Sequence, residues 1–522
     1  MKLEVTSDNK YLKIIEADEL ELKQIEITFT KTVRNYWILL KNNPNLKRWG
    51  WTGKVSFIKN GRIPLGLWHE LLKMCDKYDY ECDIYGLDSV IDYNFDENAF
   101  IKWQEEFFKD SSKKPYDYQV NTAINILKYG WSSNELATSA GKTLIVFMVF
   151  AYLKKHNILK RMLIVVPNNS LVIQGISDFD EYSDYKRLLN YKIQPIGDGA
   201  SKDKKEVDIV IGTFQTLREL PIEFFEDFNV ICIDEAHSAK NKSVKTVISK
   251  CKNSEIRFGL SGTLGIHKDD ADSFTILSLI GPCVNKVSAN YLFGNNEEGK
   301  KYATPVYIRQ IIMDYLPYEK RNDLLRLKAK KVEFDGSTML AFEKKIIVEN
   351  KERLDFIVDV ISKVKENALV LFHNIQDGYG KQICNALKKV LPNNYDIFYV
   401  DGAVSQELRK HYIDQMDQNT KSVKIMVASF GTFSTGISIS NLSYVFFTES
   451  FKSEKIILQS IGRGMRLFEG KDVVNIIDFV DDFSYKGFNN YSLKHSFDRE
   501  EMYINQGFTY KKIIKIFGER LN

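Results

Sequence analysis

The chain has 522 residues, enough for about three domains at ~150 residues each. Hydrophobic residues make up 44% and charged residues 27%, so a core can form and disorder as the main state is excluded; the net charge of +4 is too small to name a partner. No apolar run is long enough to cross a membrane, the start Met1-Lys2-Leu3-Glu4 lacks an apolar leader, and none of the six cysteines forms a CxxC, so a zinc-free protein of the reducing cytoplasm is expected.

Residues 1–95 mix short strand-like pieces with a helical stretch at Leu65–Tyr78 and predict a small α+β domain. From Ile27 to His69 there is no Asp or Glu, although the chain holds 69 acids. The same stretch carries Lys31, Arg34, Lys41, Lys47, Arg48, Lys54, Lys59 and Arg62, and four of the six tryptophans: Trp37, Trp49, Trp51 and Trp68. Cations beside exposed aromatics suit a phosphate backbone with stackable bases. The plainer reading makes the tryptophans the core of a β-rich domain, and both are expected to hold in part. Ser111-Ser112-Lys113-Lys114-Pro115 reads as a turn or linker.

Residues 96–290 alternate helices with apolar strands at Met162–Val166, Val207–Ile211, Val230–Ile233 and Arg257–Leu260. The runs are continuous rather than alternating, which fits parallel sheets covered on both faces. The pattern returns over residues 291–490, with strands at Val306–Asp314, Ala368–Phe372, Tyr395–Val400, Lys424–Ala428, Tyr444–Phe447 and Asn475–Phe479. Two tandem α/β domains with a cleft between them are predicted. Residues 491–522 read as a helical, partly basic end.

Three segments carry chemistry. Thr138-Ser139-Ala140-Gly141-Lys142-Thr143 precedes the apolar helix Leu144–Tyr152. Backbone N–H groups at a helix start bind phosphate, Lys reaches the β- and γ-phosphates, and a Thr hydroxyl serves Mg²⁺. The first glycine of the full phosphate-loop pattern is replaced by Leu136. Next, the apolar run Val230–Ile233 ends in Asp234-Glu235-Ala236-His237, where Asp234 would hold Mg²⁺ and Glu235 polarise water; the plain alternative is an acidic helix cap. Cys232 inside that run reads as a small core residue. Finally, Gln459-Ser460-Ile461-Gly462-Arg463-Gly464-Met465-Arg466 places two arginines on one helical face, as arginine fingers or as a solvated basic face.

Ala137–Thr143, Asp234–His237, Ser261-Gly262-Thr263 and Gln459–Arg466 together resemble motifs I, II, III and VI of the DEAH-type superfamily 2 helicases. Within that family, Gly197–Lys202, Gly212–Leu217, Phe430–Ser438 and Arg48–Lys54 with Ile63–Leu67 are similar to segments of phage recombination helicases. The resemblance implies two tandem RecA-like domains and a cofactor pair of ATP and Mg²⁺. Tyr116 and Gln119 would recognise adenine, though the charged residue often found before that pair is missing. Ala140, Gly141, Gly436 and Gln459 would join the nucleotide site. Pro167, Asn168, Gly197, Thr213, Gln215, Thr216, His373, Asn374 and Thr432 would contact nucleic acid, mostly phosphate; for each of them alone, a cap or turn is an equal reading. Arg48, Trp49, Trp51 and Lys54 would add contacts from the N-terminal domain.

The expected function is therefore an ATP-dependent DNA helicase for branched DNA in recombination, repair and replication, with 3′-to-5′ polarity. A duplex translocase that does not separate strands and an RNA helicase are the alternatives. Expected partners are branched or single-stranded DNA and recombination or single-strand-binding proteins. The protein is expected to act as a monomer, in a host cytoplasm if phage-encoded.

Overall fold

The computed structural model describes the chain except for residues 9, 90, 93–94, 112–113, 183–188, 198–205, 268, 298, 316–335, 374–377, 434–438, 451–452, 485–488 and 518–522. The N-terminal sheet is built from β1 (Lys2–Val5), β2 (Tyr11–Glu16), β5 (Arg62–Pro64) and β6 (Asp83–Tyr85) in the order β5-β2-β1-β6. Between β2 and β5 the chain forms a two-stranded ribbon of β3 (Thr30–Thr32) and β4 (Lys54–Ser56). One face of the sheet is apolar because Leu3, Leu12 and Ile63 point inward, and Leu67, Trp68 and Leu71 of the following helix close over them.

That core continues into the next domain. Trp131, Phe274 and Leu277 belong to the same buried cluster, and Phe29 and Phe57 pack on the Phe274 ring at 6.2 and 5.6 Å between centroids. The chain accordingly divides into two compact units, Met1–Val287 and Ser288–Asn522. Position 95 marks a change of architecture inside the first unit rather than a gap in packing.

The first unit carries a seven-stranded sheet: β7 (Trp131–Leu136), β8 (Met162–Val166), β9 (Ile193–Ile196), β10 (Ile209–Thr213), β11 (Val230–Asp234), β12 (Ile256–Ser261) and β13 (Cys283–Val287). Its order is β13-β7-β12-β11-β8-β10-β9, and every pairing is parallel. Parallel pairing puts all strand carboxyl ends on one edge, the edge at which open α/β sheets bind ligands.

The second unit repeats the plan with β14 (Val306–Tyr315), β15 (Ala368–Phe372), β16 (Tyr395–Val400), β17 (Val423–Ser429), β18 (Tyr444–Phe447), β19 (Val474–Asp482) and β20 (Thr509–Phe517), in the order β16-β17-β15-β18-β19-β14-β20. These pairings are parallel too. The fold is thus α/β, two tandem RecA-like domains with a small α+β N-terminal region. The expected helical end is corrected: a helix spans Tyr491–Asn505, but Thr509–Phe517 is a strand that completes the second sheet beside β14. Buried ion pairs fasten this sheet to its helices. Arg353 donates to both oxygens of Asp481 at 2.6 and 3.0 Å, and Arg499 donates to both oxygens of Asp478 at 2.9 Å each. Among the described residues no helix is long and apolar enough to cross a membrane.

Candidate nucleotide site and nucleic-acid contacts

β7 ends at Leu136, and the loop Ala137–Gly141 turns into the Lys142–Lys155 helix. Two residues of this loop sit in left-handed backbone, Ser139 at φ 70° and Gly141 at φ 71°. Gly141 is required twice over, since a Cβ there would also lie 2.3 Å from the Gln119 amide nitrogen. The loop is braced from below. Gln119 Nε2 donates to the Ala140 carbonyl at 2.9 Å, the Tyr118 hydroxyl donates to the same oxygen at 3.0 Å, and Gln119 Oε1 accepts from the Tyr116 amide at 2.8 Å. Gln119 is therefore a buried strut between the loop and Tyr116, which is 39% exposed and stacks on the Tyr118 ring at 5.9 Å between centroids.

Lys142 donates from Nζ to the Leu136 carbonyl at 3.0 Å, across the mouth of the loop. The Thr143 hydroxyl donates to Asp178 Oδ2 at 2.9 Å, which leaves lone pairs of its oxygen for a cation. Asp178, on the Asn169–Asp180 helix, carries no motif and was not foreseen from sequence; only the folded helix brings it here. Ser261 ends β12, and Gly262-Thr263 beyond it reach the same place: a Cβ on Gly262 would lie 3.5 Å from Thr138 Oγ1 and 3.9 Å from Lys142 Nζ.

β11 ends at Asp234, with Cys232 fully buried inside it and its thiol pushed well above the ordinary range by that burial. Glu235 stands in left-handed backbone at φ 54°, a strained conformation for a side-chain-bearing residue. His237 Nδ1 lies 3.2 Å from Glu235 Oε2 and 3.0 Å from Ser261 Oγ. The Ser261 hydroxyl donates to the Thr263 carbonyl at 2.9 Å, so its oxygen is placed to accept from His237. The acid of one motif is thereby wired through an imidazole to the loop of another. This donor set fits a nucleotide triphosphate with a divalent cation: a 14-residue helix with no acid in its first turn, a lysine at its start, and a hydroxyl and a strand-end carboxylate beside it.

The foreseen nucleic-acid residues of this unit share the other half of the same edge. Pro167 and Asn168 follow β8, Gly197 follows β9, and Thr213–Thr216 follow β10. Several double as local structure. Asn168 caps the Asn169–Asp180 helix, and buried Thr213 caps the short Phe214–Leu217 helix through the Thr216 amide. Gln215 is exposed and donates to the Pro167 carbonyl at 3.1 Å, tying two of the strand ends together.

In the second unit, His373 follows β15 and its amide donates to buried Glu449 at 2.6 Å. Thr432 is buried and its hydroxyl accepts from Ser429 at 2.8 Å, so in this conformation it secures the turn after β17. Asn374 and Gly436 lie outside the described residues. Gln459 and Arg463 sit half-buried on the Glu454–Gly464 helix, and Arg466 is exposed just past its end.

The acid-free stretch resolves into two classes. Trp68 is core, and Lys31 is buried against the Phe274 ring at 4.2 Å with Asp269 at 3.7 Å; burial holds its ammonium below the ordinary range. Beyond the ribbon, the short helices Tyr36–Asn42 and Pro44–Arg48 contain no buried residue. Trp37 is 60% and Trp49 75% exposed, and Arg34, Lys41, Lys47, Arg48 and Lys54 of the same stretch are exposed as well. Trp51 is partly structural: its ring meets Tyr36 edge-on at 6.4 Å and its Nε1 donates to the Lys54 carbonyl at 2.9 Å.

Comparison with known proteins agrees with this geometry. Residues 113–266 match the family of type III restriction enzyme res subunits, and residues 352–468 match the helicase conserved C-terminal domain. The ATP-dependent DNA helicase UvsW of Enterobacteria phage T4 is 31% identical over 490 residues, covering 90% of this chain and 91% of UvsW. QP509L of African swine fever virus, whose name describes an ATP-dependent RNA helicase, is 25% identical over 69% of this chain and 62% of its own length. The structure of Mss116p bound to single-stranded RNA and AMP-PNP shares the fold, with a TM-score of 0.53 at 16% identity over 82% of this chain and 79% of that one.

Proposed function

The chain belongs to the UvsW-like superfamily 2 helicases, and from that premise we propose that it is a DNA-dependent ATPase that remodels branched DNA, moving 3′ to 5′. The observation that carries the choice of DNA is the 31% identity with a DNA helicase over 90% of the chain, against 25% over 69% for the relative named for RNA. The exposed basic and aromatic arm supports the choice of branched substrates, because it offers a second grip outside the strand-end residues of the motor.

Bound MgATP supplies a phosphoryl group for transfer to water. Lys142, now on the Leu136 carbonyl, would meet the phosphates, and Thr143 and Asp234 would hold the cation. Glu235 takes the proton of the attacking water at its carboxylate, and the His237–Ser261–Thr263 chain carries that change into the loop after β12. Arg463 and Arg466 act as the arginine fingers. Pro167, Asn168, Gly197, Thr213, Gln215 and Thr216 contact one strand, and His373 and Thr432 are the nucleic-acid residues of the second unit.

ATPase stimulation by single-stranded, duplex, forked and four-way DNA, and by single-stranded RNA, tests the proposal, with strand displacement measured alongside. Strongest stimulation by forked or four-way DNA, with displacement, is expected. Greater stimulation by RNA would overturn the choice of substrate; stimulation by duplex without displacement would make the protein a translocase.

A further inference from the structure

The Glu454–Gly464 helix ends immediately before Arg466, and a helix end leaves carbonyls without intrahelical partners. Here three successive carbonyls are taken by two residues from outside the motif. Gly464 O accepts from Lys471 Nζ at 3.0 Å. Met465 O accepts from the Thr304 amide at 2.7 Å, and Arg466 O accepts from the Thr304 hydroxyl at 3.0 Å. Thr304 is 1% exposed. It ends the segment that leads from the first unit's last strand into β14, and Pro305 beside it accepts from the Val474 amide at 2.9 Å, where β14 and β19 begin to pair.

The turn is also pressed flat on the sheet. A Cβ on Gly464 would lie 2.8 Å from Val474 Cγ1, so only glycine lets the helix end seat there. Lys471 reaches further: its Nζ donates to the Ser440 carbonyl at 2.6 Å as well. Asp417 in turn accepts from the Ser440 and Asn441 amides at 2.6 and 3.0 Å. One ammonium thus bridges the end of the arginine helix and the segment that follows residues 434–438. The result is a backbone held from both sides around a guanidinium that is itself exposed.

We infer that Thr304 and Lys471 are positioning residues for Arg466, fixing its main chain so that the finger is presented in one place. The inference rests on the reading of Arg466 as an arginine finger. It places Thr304, two residues ahead of β14, in direct contact with the turn that carries Arg466, so a shift of that segment reaches the finger through a single hydrogen bond.

The test uses the full chain and five variants: Thr304→Val, Thr304→Ser, Lys471→Met, Arg466→Ala and the double variant of Thr304→Val with Arg466→Ala. Steady-state ATPase is measured with oligo(dT) or oligo(U), whichever stimulates the parent more, and thermal unfolding checks the fold. Small displacements of a reacting group cost rate steeply, so Thr304→Val and Lys471→Met should each lower kcat by about 10-fold with KM for ATP within twofold. Thr304→Ser keeps the hydroxyl and should recover most of kcat. Adding Thr304→Val to Arg466→Ala should cause no further loss. Parent kcat in both Thr304→Val and Lys471→Met, a loss that tracks the unfolded fraction, or additive losses in the double variant would overturn the inference while leaving the finger reading intact. Parent kcat in Arg466→Ala would instead remove the finger reading, and the inference with it.

Discussion

Neutralising Arg48 and Lys54 offers a quantitative test of the N-terminal arm. Both side chains are exposed, and neither makes a side-chain contact that the fold depends on; the Trp51 bond falls on the Lys54 carbonyl, which substitution preserves. Each phosphate contact steepens log K against log salt by about 0.9, so Arg48→Gln with Lys54→Gln should flatten the slope for forked DNA by about 1.8. Between 50 and 200 mM salt the parent should therefore lose about 12-fold more affinity than the double variant. Trp49→Ala should behave differently. Stacking on an exposed ring contributes about 1–3 kcal/mol per base, so affinity should fall by about 5- to 150-fold with the slope unchanged. Fluorescence anisotropy on labelled forks across that salt range reads both quantities. Stimulation of ATPase by plain single-stranded DNA should persist in both variants, because the strand-end residues are untouched. An unchanged salt slope in the double variant would refute the arm as a phosphate-binding surface, whatever its affinity.

Glu235→Gln should retain nucleotide binding yet lose turnover, and a parent rate of ATP hydrolysis in that variant would be incompatible with Glu235 as the base. Gln119→Ala removes both ends of the strut beneath the phosphate loop, so KM for ATP should rise by more than kcat falls; titration with a fluorescent ATP analogue checks this. Arg353→Met strips Asp481 of its buried partner and should destabilise the second unit by about 3–5 kcal/mol in urea unfolding; a cost below about 1 kcal/mol would show that the pair is not held as described. Burial pushes the Lys471 ammonium down to about 8 from 10.5, so the unfolded chain binds more protons between those values and stability should rise with pH across that window. Lys471→Met should remove that part of the rise, and identical pH profiles for the two proteins would contradict it.

Which of these features could be read from the sequence follows from how each is encoded. Phosphate and water chemistry need particular side chains on one short turn, so Gly141-Lys142-Thr143 and Asp234-Glu235 stand as contiguous strings. Apolar strands such as Ala368–Phe372 and Tyr444–Phe447 were legible to the residue because both of their faces are covered. β7 was not, although it lies inside the first sheet, because Trp131-Ser132-Ser133-Asn134-Glu135-Leu136 shows no apolar run. Its polar side chains are buried at full cost unless bonded, and the fold meets that cost for two of them: Asn134 donates to the Gly259 carbonyl at 3.1 Å and accepts from Asn285 at 2.6 Å, and Ser133 donates to the Gly281 carbonyl at 3.1 Å, while the buried Ser132 hydroxyl has no partner among the described residues. β20 fails for the opposite reason. Lys511, Lys512 and Lys515 interleave with isoleucines on a sheet edge whose faces stay largely exposed, so neither a period of two nor a covered run is visible.

Long-range partners were beyond any local pattern. Lys31 counted as one of a basic series until the fold buried it on Phe274, and Gln119 read as a base-reading amide until both of its ends met the backbone. Asp178 lies 35 residues from Thr143, and Thr304 lies 162 residues from Arg466. The division has a physical origin. A side chain that must touch ligand is constrained by chemistry that is the same wherever the motif occurs. A side chain that holds such a residue in place is constrained only by what the fold happens to bring near. In a motor of this kind the second group is large, because every turn at the edge of the sheet has to be both held and free to respond. Thr304 meets both demands with one residue: its amide and hydroxyl secure the backbone at Met465 and Arg466, while its own position is set by the segment that enters β14.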